Sequence, residues 1–125
     1  MNAKKKGQCN MNRDTEIITH IKRYCDEITM AVNHFGDDKN VFMNDPVYRN
    51  AVAMPIQQIG ELTKHLTEEF TERYTEIPWK LIKGMRTWFA HQYLIMDTDV
   101  IWEVVDENIP ELNAFCLKFL NEKEN

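Results

Sequence analysis

No two cysteines in this chain are spaced C-x-x-C, and the three present, Cys9, Cys25 and Cys116, are odd in number. A closed disulfide framework and a zinc knuckle are thereby not indicated, and a reducing, cytoplasmic location is the expectation. Long apolar runs are absent too: none approaches the about 18 residues of a spanning helix. Lys4-Lys5-Lys6 leads into polar residues rather than an apolar segment, so no secretory leader is read and no membrane partner is expected. The motifs of common enzymes are also missing. There is no phosphate-cradling glycine loop, no H-E-x-x-H and no G-x-S-x-G. Nor is there a Glu-x-x-His of the kind that holds a di-metal site in a helical bundle, because Glu16–His20 and Glu61–His65 are each one residue too long. The expectation is therefore no metal and no cofactor.

The last absence is local. The chain has 20 acidic against 15 basic residues and a net charge of -5, yet residues 77–96 contain no carboxylate. The overall acidity argues against a duplex-DNA binder, which would show a broad basic face. A small basic patch remains open, and this stretch supplies one with Lys80, Lys83, Arg86 and His91, together with Trp79, Trp88 and Tyr93.

What is present reads as helix. From Asp14, a candidate N-cap, the positions Ile17, Ile21, Tyr24, Ile28, Ala31 and Phe35 form one amphipathic stripe that Gly36 ends. After a connection in which Phe42 can tuck under the bundle, Asp45 caps a second helix with Pro46 at its first position. Its stripe runs through Tyr48, Val52, Pro55 or Ile56, Ile59, Leu62 and Leu66. Pro55 predicts a kink rather than a break, since the pattern continues beyond it. Gly60 in mid-helix costs about 1 kcal/mol against Ala, which close approach of a neighbouring helix would explain. Thr67 can cap a short turn, Pro78 starts a third helix, and Thr98 caps a fourth, which Pro110 bends or restarts. No segment shows period-2 alternation. The reading is all-α: an antiparallel up-and-down bundle of four principal helices with short extra turns, residues 14–125, behind a flexible tail at 1–13.

Arg86 and Tyr93, seven apart, point nearly the same way on an ideal helix, whereas His91 lies about 140° around the axis from Arg86. One straight helix cannot aim both at one atom. Either the helix distorts or a two-fold axis brings in the second copy's residues. A cleft with imidazole and guanidinium groups could cleave an RNA phosphodiester by its own 2′-hydroxyl, the imidazole moving protons and the guanidinium stabilising the phosphorane charge. Lys80 and Lys83 could hold flanking phosphates. The plainer reading is structural: Arg86 paired with a carboxylate such as Glu61, His91 half-buried, Tyr93 with its ring in the core. Trp79, Trp88 and Phe89 read as core or dimer contacts.

Arg86-Thr-Trp-Phe-Ala-His91-Gln-Tyr93 resembles the Arg-x4-His-x-Tyr motif of the HepT-like branch of the HEPN superfamily, small all-α ribonuclease toxins. Ile59-Gly60-Glu61, Ile77-Pro78-Trp79, Gly84-Met85-Arg86 and Ile109-Pro110-Glu111-Leu112 resemble further signatures of the family, and the likeness spans roughly residues 14 to 121. It implies a metal-independent endoribonuclease in a type VII-like toxin–antitoxin module, acting as a homodimer on RNA, with Arg86 and His91 catalytic. Glu61 and Thr87 take supporting positions. A minimal nucleotidyltransferase antitoxin is the implied partner, attaching nucleotides to Tyr93 and so placing negative charge where RNA phosphate would sit. Thr87 stands where the family commonly has Asn or another polar group. The alternative is a non-catalytic HEPN module that binds or scaffolds the nucleotidyltransferase.

Overall fold

The computed structural model describes residues 2–87 and 98–124, and these are all-α, with no strand among the described residues. Helix α1 spans Asn2–Phe35, α2 Lys39–Asn44, α3 Pro46–Lys64, α4 Glu68–Arg73 and α5 Trp79–Thr87. After the undescribed segment come α6 (Thr98–Glu103), a π-helical turn (Val104–Asn108) and α7 (Ile109–Glu124). α1 packs against α3 and α7, and α3 packs against α5. This is the bundle that the helical periodicity predicts.

α1 differs from expectation in two ways. It begins at Asn2, ahead of Asp14, so Asp14 is not its cap. Asp14 is buried and reaches across the bundle, accepting from the Thr67 backbone N–H at 2.9 Å and the Thr67 hydroxyl at 2.6 Å. Thr67 Oγ1 in turn accepts from Phe70 N–H at 3.2 Å, the expected cap of α4. The apolar stripe is also wider than the sequence reading, because α1 faces two helices: Ile18 and Cys25 are fully buried, beside Ile17, Ile21 and Ile28.

The local signals at α2 and α3 act as their chemistry requires. Gly36 takes φ 116°, a left-handed conformation suited to glycine, and closes α1 with its N–H on Val32 O at 2.8 Å. Asp45 accepts from Val47 N–H at 2.9 Å and Tyr48 N–H at 3.3 Å, capping α3 with Pro46 at the first helical position. Arg49 Nη1 donates to Phe42 O and Met43 O, at 3.0 and 2.7 Å, satisfying the carbonyls at the end of α2. α3 runs through the buried Pro55 to Lys64 without a break.

Thr98 is itself helical, within α6 rather than a cap outside it, and Asp99 beside it pairs with Lys39 at 2.7 Å. The restart expected at Pro110 takes the form of the π turn. Ile109 N–H reaches back to Val104 O, five residues away, just before a proline that has no N–H to give.

Aromatic side chains gather at both ends of α3. Phe35, Phe42 and Trp102 surround Tyr48 near its start, and the Tyr48 hydroxyl donates to Gly36 O at 3.0 Å. Past its end, Phe70, Tyr74, Trp79, Phe115 and Phe119 pack together, with Trp79 Nε1 donating to Tyr74 O at 2.7 Å. Trp79 is 7% exposed, a core residue as the sequence suggested.

Candidate functional site

The site is built on α5, whose described residues have one apolar face. Trp79, Ile82 and Met85, spaced three apart, are buried, which turns Lys80, Lys83 and Thr87 outward and leaves Arg86 at the boundary. What fixes the height of Arg86 is Gly60. A Cβ at Gly60 would lie 2.6 Å from Arg86 N and 3.1 Å from its Cα, so the two backbones touch there and only glycine fits without displacement. The close approach inferred from a mid-helix glycine is thus observed, and the helix that approaches carries the candidate arginine.

Glu61, the next residue on α3, brings Oε1 to 3.9 Å from Arg86 Nη1, with side chains 47% and 29% exposed respectively. That is a charge contact longer than a hydrogen bond. A pair this exposed is worth about 0–1 kcal/mol, so Glu61 biases the guanidinium without locking it. A phosphate offering two oxygens to the guanidinium fork would compete well for it. The Thr87 hydroxyl donates to Gly84 O at 2.8 Å within its own helix. It is therefore engaged with α5 rather than directed at Arg86.

Lys80 and Lys83 are exposed and line a groove of about 470 Å³ with Lys64, Leu66, Glu68 and Trp79 among its walls. Lys64 was not singled out by its sequence, being one of many surface lysines. Its signal was positional: four residues after Gly60, it shares the face that meets α5. His91 and Tyr93, with Trp88 and Phe89, lie outside the described residues, so the structure places Arg86, Glu61, Thr87, Lys80 and Lys83 but not these.

Among the described residues no group of three or more His, Cys, Asp or Glu side chains is arranged to hold a metal ion. Cys25 and Cys116 are free, buried thiols. Burial pushes the Cys25 thiol far above its usual range and that of Cys116 up to about 12. Neither is a nucleophile at neutral pH. No helix among the described residues is long and apolar enough to cross a membrane.

The fold and site together define an all-α bundle in which an arginine on a basic, carboxylate-free helix lies against a neighbouring helix. The particular family follows from comparison: residues 15–119 match the Ribonuclease HepT-like family, and the chain belongs to it. Among its relatives is a candidate RNase of Caldanaerobacter subterraneus subsp. tengcongensis, 33% identical over 107 residues, which cover 86% of this chain and 94% of the relative. A candidate RNase of Methanocaldococcus jannaschii is 32% identical over 75 residues, 60% of this chain and 69% of that one. A candidate ribonuclease HepT of Thermococcus cleftensis is 35% identical over 73 residues, 58% and 66% of the two chains. No solved structure matches significantly.

Proposed function

We propose that this chain is a metal-independent endoribonuclease toxin in which Arg86 stabilises the developing phosphorane charge and His91 moves the proton. The 2′-hydroxyl attacks its neighbouring phosphorus, the P–O5′ bond breaks, and the products are a 2′,3′-cyclic phosphate and a 5′-hydroxyl. Protons pass from the 2′-oxygen to a base and from an acid to the leaving 5′-oxygen, tasks suited to an imidazole with its pKa near neutrality. The observation that carries this reading is Arg86 itself. In a chain of the HepT-like ribonuclease family it is held at a fixed height by the Gly60 contact, partly exposed, and paired only loosely with Glu61.

The angular divergence of Arg86 and His91 on an ideal helix, about 140°, favours a homodimer whose cleft gathers both residues from two copies. A cognate nucleotidyltransferase would silence the site by attaching nucleotides to Tyr93, adding bulk and negative charge beside the phosphate position. The buried free thiols suit a reducing, cytoplasmic setting.

Purified protein incubated with RNA in EDTA should cut it. Arg86→Ala and His91→Ala should each lower the rate at least about 100-fold, the scale of a lost acid–base group or charge stabiliser, with unchanged circular dichroism. Intact-mass measurement must show Tyr93 unmodified. Uncut RNA from folded, unmodified protein would mean instead a binding partner for the nucleotidyltransferase.

A further inference from the structure

We infer that the groove between the end of α3, α4 and the start of α5 is a phosphate-tracking channel for a single RNA strand, with Lys64 as a contact that completes the pair Lys80 and Lys83. The inference rests on the ribonuclease reading for the identity of the strand, and on the groove's own chemistry for the rest.

Two contacts fix its direction. Gly60 touches Arg86, while Lys64, four residues further along α3, shares the groove with Trp79, Lys80 and Lys83. α3 and α5 therefore run antiparallel here. From Arg86 toward the start of α5 come Lys83 and then Lys80, both of which share the groove with Lys64. Six residues of helix separate Arg86 from Lys80, about 9 Å along the axis, room for more than one backbone phosphate. A strand lying in it would present one phosphate to Arg86 and its neighbours to the lysines.

The charge arrangement asks for such a ligand. Among the described residues, Lys64, Lys80 and Lys83 make no ion pair, although the protein as a whole is acidic. Three ammonium groups around about 470 Å³ repel one another, and a polyanion relieves that repulsion. Leu66 and Trp79, at 8% and 7% exposed, make the floor apolar, so sugars and base edges can lie on it with phosphates at the basic rim. One carboxylate, Glu68 on α4, stands on the opposite wall and would weaken anion binding.

The test uses the full chain and a labelled single-stranded RNA of uniform sequence, titrated across salt concentrations. Lys64→Ala should flatten the slope of log affinity against log salt by about 0.7, the value for one phosphate contact on a single strand. Lys118→Ala, the same charge change at an exposed position of α7, should leave it unaltered, and Glu68→Gln should tighten binding. Lys64→Arg should restore the slope. In cleavage, Lys64→Ala should raise KM for a long RNA at unchanged kcat and leave a dinucleoside monophosphate, which has no flanking phosphate, unaffected. A Lys64→Ala protein that matches Lys118→Ala in slope and KM overturns the channel, as does wild-type protein that binds the RNA without salt dependence. Binding that depends on Lys64 with no cleavage by wild type supports the channel and removes the ribonuclease reading instead.

Discussion

At the scale of single residues, Gly60 matters more than any charged group for where the arginine sits. Its missing side chain is the reason Arg86 can lie against α3. Gly60→Ala would place a methyl carbon 2.6 Å from a backbone nitrogen, which cannot rotate away, so α5 must move. Overpacking of this kind costs about 1–3 kcal/mol. The gain in helix propensity from Gly to Ala, about 1 kcal/mol, offsets part of that. The expected outcome is modestly lower stability in urea unfolding together with a much larger fall in RNA cleavage, since the guanidinium shifts with its helix. A variant that keeps full activity would show that the contact does not set the site.

At the scale of elements, the bundle is stitched by a few long-range polar contacts. Asp14 joins the first helix to the entry of α4, 53 residues away, by two hydrogen bonds. Asp14→Ala removes both acceptors and strands a partly buried N–H, which costs about 1–3 kcal/mol. Urea denaturation should show the loss, and hydrogen exchange should show the Thr67 amide losing protection first. This contact also marks the limit of what the sequence alone could say. Local signals were legible because their partners are neighbours in the chain: Asp45 with Pro46, Gly36, Thr67, and the apolar spacing of each helix. Asp14 reads as a cap by the same local rule, and the rule failed because its partner is far away in sequence. Gly60 was legible as a close approach but not as an approach to Arg86. The π turn was legible only as a disturbance at Pro110, since periodicity shows that a helix restarts and not how its hydrogen bonds are shared. Lys64 could not be chosen from other lysines until α3 and α5 were set side by side.

At the scale of the whole molecule, several buried ionisable groups are held neutral. Burial raises the Tyr48 phenol to about 12 and the Cys116 thiol to about 12, with Cys25 raised further. In the unfolded chain thiols and phenols titrate near their ordinary values of about 8.5 and 10. Between those values and about 12 the folded state binds more protons than the unfolded one, so stability falls as pH rises. Below the ordinary thiol value this contribution is complete and independent of pH. Urea midpoints measured from pH 7 to 11 should therefore hold level at first and then decline, and Cys116→Ala should soften the decline. A midpoint that rises above pH 9 would contradict these assignments.

The two aromatic clusters at the ends of α3 have a use of their own. Each contains a tryptophan, Trp102 beside Phe42 and Tyr48, and Trp79 among Phe70 and Phe115. The protein thus carries an intrinsic fluorophore at either end of its central helix. With Trp88, the third tryptophan of the chain, replaced throughout, removing one of these two indoles at a time turns emission into a position-resolved record of melting, in which coincident transitions mark a single cooperative unit and staggered ones reveal which end loosens first.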